Sequence, residues 1–150
     1  MHTIRTNSEN KDFRALIVEL DQYLWDMDGP ALQGYYKKLN VIEKNDTVIV
    51  AYLNGKPVGC GCFKPYDKTR AEIKRMYVKP EARGNRIGYG ILHALEVWAT
   101  ELGYKSTVLE TGHKQVEAIE LYKKSGYAII ENYGPYAGIE NSLCFEKKLS

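Results

Sequence analysis

Apolar residues recur along this chain in two alternating periods, and each change of period marks a new element. Phe13, Leu16, Ile17, Leu20 and Leu24 stand three or four apart, so the spacing predicts a first helix that buries this stripe. A short strand, His2 to Thr6, precedes it; Asn7 and Ser8 offer caps, and Gly29-Pro30 ends it. A shorter second helix is expected over Ala31 to Leu39, carrying Tyr35 and Tyr36. The run TVIVAYL, Thr47 to Leu53, is rich in β-formers, and Asn54-Gly55 after it is a two-residue hairpin signal. The return strand is Val58 to Phe63. A turn near Tyr66 to Thr69 leads to a third strand, Ala71 to Val78, and Pro80 closes this antiparallel meander.

From Ile87 the period is helical again. Ile87, Ile91, Leu95, Trp98 and Leu102 define one face of a long helix, with Gly103 placed as its C-cap. Then come a strand at Ser106 to Glu110, a helix at Lys114 to Ser125 ending at Gly126, and strands at Tyr127 to Ile130 and Ser142 to Phe145. The turn-rich loop between the last two, Glu131 to Asn141, contains Tyr133 and Tyr136. The order βααβββαβαββ implies an α/β (α+β) mixed sheet with helices on both faces, read as one domain over residues 1–150.

Composition narrows the class. The 21 Lys and Arg nearly balance 19 Asp and Glu, which does not call for nucleic acid. No apolar run approaches the roughly 18 residues of a membrane span. Cys60 and Cys62 share one strand face with parallel Cβ vectors, badly placed for a disulfide, and Cys144 has no zinc-site company. The three read as reduced thiols, which favours the cytoplasm, and no metal site is expected.

The densest chemistry lies in EIKRMYVKPEARGNRIGYGIL, Glu72 to Leu92. A strand, a loop rich in Arg and Gly, and a helix start present free N–H groups and two guanidinium groups where an anion is favoured. A Walker loop is excluded, because no Gly-Lys pair followed by Ser or Thr is present. A dinucleotide fingerprint is excluded too: Leu92 and His93 follow Gly88-x-Gly90, and the preceding strand is charged.

The chain here resembles the GNAT superfamily of acetyl-CoA-dependent N-acetyltransferases. The R/Q-x-x-G-x-G/A motif of that family is matched by Arg83-Gly84-Asn85-Arg86-Ile87-Gly88, with Arg86 in place of the first motif glycine. The segment Ala118 to Tyr127, AIELYKKSGY, resembles the family's A-x-x-L-Y-x-x-x-G-F/Y. The resemblance implies a GNAT-like acyl-CoA N-acyltransferase fold with splayed central strands. It implies acetyl-CoA as co-substrate, its pyrophosphate on Arg83, Gly84, Asn85, Arg86, Ile87, Gly88, Tyr89 and Gly90, and its pantetheine along Met76, Tyr77 and Val78. Gln115 stands where many members carry an asparagine that contacts the pantetheine.

The same resemblance makes Tyr122 the acid that protonates the departing thiolate, and Glu72 or Glu110 the base that takes the amine proton. The implied reaction is acetyl transfer to a primary amine of a small molecule or peptide by direct attack. No cysteine falls in either motif, so a covalent intermediate has no support. Two alternatives stand beside it: a non-catalytic acyl-CoA-binding domain, and a nucleic-acid module built on Lys74, Arg75, Lys79, Arg83 and Arg86. The tyrosines of the late loop read as filling the edge of the core. A homodimer through an exposed edge of the last strands is compatible with this order.

Overall fold

The computed structural model describes residues 1–30 and 43–150. The helix expected over Ala31 to Leu39, with Tyr35 and Tyr36, lies outside the described residues. The strands are β1 (His2–Thr6), β2 (Val48–Leu53), β3 (Lys56–Pro65), β4 (Arg70–Val78), β5 (Ser106–Gly112), β6 (Ala128–Ile130) and β7 (Ser142–Lys148). They form one mixed sheet in the order β1-β2-β3-β4-β5-β7-β6. The helices are α1 (Lys11–Asp28), α2 (Ile87–Glu101) and α3 (Val116–Lys124). This is the α/β architecture and, for the described residues, the element order expected from sequence.

Helix α1 buries Phe13, Leu16, Ile17 and Leu20 against Val48, Val50, Cys60, Cys62 and Tyr77 on one face of the sheet. Each such side chain contributes roughly 1.5–3 kcal/mol when fully removed from water. The cap is Asn10 rather than Asn7 or Ser8: its side-chain oxygen accepts from Phe13 N at 2.9 Å. Ser8 instead turns inward, and its hydroxyl accepts from Asn45 N at 2.9 Å. Helix α2 covers the opposite face with Ile87, Ile91, Leu92, Leu95 and Ala99. Leu102, expected on that face, is 57% exposed because the helix has ended at Glu101 and the chain turns away through Gly103 at φ 94°.

Two glycines of β3 let α2 lie close. A Cβ on Gly59 would stand 2.8 Å from Ile91 Cδ1 and 2.9 Å from the Tyr77 carbonyl oxygen. A Cβ on Gly61 would stand 2.6 Å from Met76 Sδ and 2.9 Å from Leu95 Cδ1. The far end of α2 is tied to the sheet by a polar network. Tyr127 Oη donates to Glu96 at 2.9 Å and lies 2.6 Å from Thr107 Oγ1, while Lys147 Nζ pairs with the other Glu96 oxygen at 2.9 Å.

The last two strands are found where expected, but their order is not sequential. β7 inserts between β5 and β6, antiparallel to both. Cys144 and Phe145 of β7 are fully buried, whereas Ile129 of β6 at the sheet edge is 53% exposed. All three cysteines are buried and free. No helix among the described residues is long and apolar enough to cross a membrane.

The parallel pairing of β4 with β5 covers only Arg70–Glu72 against Ser106–Val108. Beyond that point the strands part. β4 carries an extra residue there: from Cys62 to Cys60 β3 advances two residues, while its partners run from Lys74 to Tyr77, three. Arg75 sits in this bulge at φ 60°, and a bulge bends its strand. Gly59→Ala should destabilise the fold by about 1–3 kcal/mol, because the Tyr77 carbonyl cannot move aside without breaking the ladder. The denaturation midpoint would fall at unchanged slope; an unshifted midpoint would show that α2 has slack against β3.

Candidate active site

The opening between β4 and β5 is floored by two connected cavities. The larger, about 690 Å³, is lined by Leu20 and Tyr23 of α1, Met76 to Val78 of β4, the loop and helix start at Arg83–Tyr89, and Gln115 to Ser125 around α3. The smaller, about 80 Å³, lies deeper between the strands and is lined by Glu72, Lys74, Arg75, Glu110, Thr111 and Tyr136. Leu20, Met76, Gln115 and Tyr122 line both, so Tyr122 stands at their junction.

The larger cleft is built to meet an anion. Gly84 and Arg86 both have left-handed backbones, at φ 86° and 59°. The position where the motif expects glycine is therefore occupied by an arginine in a glycine-like conformation. The first bond of α2, from Gly90 N to Arg86 O, is 3.1 Å long. No acceptor among the described residues meets the N–H groups of Gly84 to Tyr89, and such a row at a helix start is a site for phosphate.

The two arginines serve this loop differently. Arg83 is committed to the protein: Nε donates to the Val78 carbonyl at 3.1 Å, Nη1 lies 3.6 Å from Glu117, and the guanidinium carbon sits 5.1 Å from the Tyr23 ring centre. Arg86 is exposed and rests over Tyr89 at 4.9 Å. The Val78 carbonyl thus faces the cleft. Lys79 N, the next amide, turns the other way to Val58 O at 2.8 Å. Strand alternation then points the Met76 and Val78 N–H groups into the opening.

Of the residues expected to hold acetyl-CoA, Met76, Tyr77, Val78, Arg83, Gly84, Arg86, Ile87, Gly88, Tyr89 and Gln115 come together around this cleft. The Asn85 side chain and Gly90 do not. The Asn85 side chain folds back to donate to the Ala82 carbonyl at 3.0 Å, and Gly90 faces Met1 on another side of α2. Leu20 and Tyr23 were not legible as cleft residues, because α1 reaches the site only through tertiary packing. Gly88 allows α3 to approach, since a Cβ there would meet Leu121 at 3.2 Å.

The deeper cavity brings together two carboxyls that sequence reasoning set on separate strands. Glu72 is 5% exposed and accepts a 2.7 Å hydrogen bond from Tyr133 Oη. Tyr133, Tyr136 and Tyr66 pack edge to face beneath the late loop. The loop tyrosines therefore do fill the core edge, as expected, and Tyr133 also fixes Glu72, a contact across 61 residues that no local pattern signals. Burial beside Glu72 and this hydrogen bond hold the Tyr133 phenol well above its ordinary range.

Glu110 accepts from Ser142 Oγ at 2.7 Å. Its pKa is pushed up to about 7, chiefly by burial, with Glu72 and Asp28 adding to the rise and Ser142 and Lys74 opposing it. A carboxyl that titrates near neutrality is suited to accept a proton. Tyr122 is buried and packed against Tyr127 and Phe145 at 5.9 Å each. Burial, then the charge of Glu110, holds this phenol above its ordinary range, so it keeps its proton at working pH.

The basic cluster seen in sequence does not form a bare cationic face. Arg75 pairs with Asp21 at 2.9 Å, Lys79 with Glu19 at 3.2 Å and Arg83 with Glu117 at 3.6 Å. Among the described residues no group of three His, Cys, Asp or Glu side chains could hold a metal ion.

Comparison with known proteins agrees with this geometry. The chain is 40% identical over 136 residues to the IAA acetyltransferase of Azospirillum brasilense, covering 89% of this chain and 88% of that one. A Klebsiella pneumoniae protein assigned as an acyl-CoA N-acyltransferase superposes with a TM-score of 0.83 at 27% identity, over 99% of this chain and 97% of that one. The PaiA N-acetyltransferase of Thermoplasma acidophilum, solved in complex with coenzyme A, has the same fold at a TM-score of 0.72 and 16% identity, covering 98% of each chain. The family model described as Acetyltransferase (GNAT) family matches residues 10–127, and this chain belongs to that family.

Proposed function

We propose that this protein transfers the acetyl group of acetyl-CoA to a primary amine of a small molecule or peptide by direct attack. The observation that carries this reading is the placement of Glu110 and Tyr122. The first is a carboxyl poised near neutrality in the deep cavity; the second is a protonated phenol where that cavity opens into the long cleft. The family supports acetyl as the group moved, as does the name of the Azospirillum relative. A domain that only sensed acyl-CoA would have no use for a carboxyl buried at such a cost.

In this reading the pyrophosphate lies on the N–H groups from Gly84 to Tyr89, with Arg86 free to add charge and Arg83 bracing the loop. The pantetheine follows Met76 to Val78 and meets the strand amides that face the opening. An ammonium in the deep cavity gives a proton to Glu110 and becomes nucleophilic. Its nitrogen forms a bond to the thioester carbon, and the Met76 N–H is placed to stabilise charge on the carbonyl oxygen. The C–S bond breaks, the sulfur takes the Tyr122 proton, the second proton lost by the nitrogen restores the phenol, and Glu110 releases its proton to solvent. Burial raises the proton affinity of phenolate and thiolate alike, so the transfer is less uphill than the phenol alone suggests. Glu72, held by Tyr133, acts by its charge on Glu110 rather than as the base.

Four outcomes are expected. With Glu110 as base, kcat/KM should fall as pH drops through about 7. Glu110→Gln should lose activity by on the order of 10²-fold or more at pH 8, and a variant retaining the wild-type pH limb would exclude Glu110. The same substitution bears on stability. The folded pKa is raised, so the penalty is absent below the unfolded value and full above about 7. Glu110→Gln should therefore stabilise by roughly 2–3 kcal/mol at pH 8 and by little at pH 4, read from denaturant titrations at both. Tyr122→Phe should cut kcat by about 10²-fold with little change in the KM for acetyl-CoA; an equal loss through KM alone would make Tyr122 a packing residue. Replacing Arg86 by Ala should raise the KM for acetyl-CoA, whereas Arg86→Gly should do so while gaining about 1 kcal/mol of stability from relief of the left-handed backbone.

A further inference from the structure

The deep cavity is not simply an acidic pocket for an ammonium. Its wall also holds Lys74, which interacts electrostatically with Glu72 and Glu110. Lys74 follows Glu72 by two residues on β4, before the bulge at Arg75, so both side chains leave the same face of the strand. Its Nζ lies 3.4 Å from Tyr136 Oη, the long end of the hydrogen-bond range, and Tyr136 is 3% exposed. Arg75, also in the wall, is drawn toward Asp21. Glu72 is drawn to Tyr133 and Glu110 to Ser142, each carboxyl being fixed from behind by a hydroxyl.

We infer that the acceptor is a small α-amino acid, its ammonium directed to Glu110 and its carboxylate to Lys74. This deepens the proposed amine acetylation and rests on it. Three features favour the assignment. The wall carries carboxylates and a cation side by side, which complements a zwitterion. A polyamine or a multiply charged aminoglycoside would set a second ammonium against Lys74. The cavity, about 80 Å³, has room for the head of an acceptor of few non-hydrogen atoms rather than for a peptide chain. Burial lowers the affinity of Lys74 for its proton, and an anionic ligand group nearby would raise it. A peptide N-terminus presents a neutral amide where an amino acid presents a carboxylate, and this difference separates the two acceptors.

The test compares glycine, L-alanine and L-serine with their amides, using wild-type protein, Lys74→Met and Lys74→Arg. Thiol release from saturating acetyl-CoA is followed at pH 8.5, above the Glu110 titration. In parallel, the melting temperature of coenzyme-A-saturated protein is recorded with each compound. For wild type, at least one amino acid should exceed its amide in kcat/KM by about tenfold or more, the size of one hydrogen bond to a charged group. The same amino acid should raise the melting temperature while its amide does not. The acid-to-amide ratio should fall to about one in Lys74→Met and be largely kept in Lys74→Arg.

Equal use of acid and amide by wild type overturns the inference and favours a peptide N-terminus or a simple amine. So does a ratio that survives Lys74→Met, and so does a set of amino acids that neither stabilise nor react. Failure of the underlying reading looks different. Lys74-dependent stabilisation by an amino acid without any thiol release would keep the carboxylate site and refute acetyl transfer.

Discussion

The parting of β4 from β5 after Glu72 and Val108 is the constraint on which the rest of the structure depends. Two neighbouring parallel strands in the middle of a sheet should pair along their whole length, because an unmet buried backbone group costs roughly 1–3 kcal/mol. Here the bulge at Arg75 bends β4 away. That residue holds a left-handed backbone at φ 60°, itself a cost of about 1–2 kcal/mol for a non-glycine residue. The bend is held from the α1 side by the Arg75–Asp21 pair at 2.9 Å, with the Arg75 side chain only 9% exposed, and by Cys60 Sγ at 3.4 Å from the Arg75 carbonyl. The opening that results admits the C-terminal end of β5, the start of α3 and the late loop to one place.

The cofactor side of that opening rests on a related device. Gly84 and Arg86 both turn left-handed, and the N–H groups between Gly84 and Tyr89 stay unmatched by the described residues. An arginine at φ 59° is locally unfavourable, and its stacking over Tyr89 at 4.9 Å offsets this only in part. What the position gains is a charge directly at the helix start. Arg83 holds the loop by reaching back to Val78, so the two arginines of one motif divide into a brace and an exposed cation.

Much of this was legible in the chain. The apolar stripes of α1 and α2, the Asn54-Gly55 hairpin and the strand boundaries follow from local spacing, and local spacing is what periodicity measures. Asn10 displaced Asn7 and Ser8 as the cap because Ser8 has a tertiary partner in Asn45, which no N-terminal pattern reveals. The bulge at Arg75 was illegible for a similar reason. No glycine marks it, and its ion pair with Asp21 joins residues 54 apart. The insertion of β7 between β5 and β6 is a pairing that a linear order of elements does not encode. Most residues of the two matched motifs line the cleft. The Asn85 side chain and Gly90 do not, because a loop of alternating handedness turns only some of its residues toward any one ligand.

The two carboxyls of the deep cavity show why residue type alone could not assign their roles. Glu72 is buried and Glu110 half-buried on adjacent strands, and both accept a 2.7 Å bond from a hydroxyl. The difference lies in what surrounds them. Glu72 sits one step beyond the last apolar pair of the meander, against the tyrosine cluster, with Tyr133 committed to it. Glu110 lies past the point where β4 and β5 separate, so its second oxygen is not claimed by the neighbouring strand. Burial, with the charge of Glu72 beside it, raises the Glu110 carboxyl to about 7. Lys74 counters that rise without cancelling it, because it shares its field between both carboxyls. The parting of two strands thus sets both the opening and the surroundings in which the Glu110 carboxyl is raised.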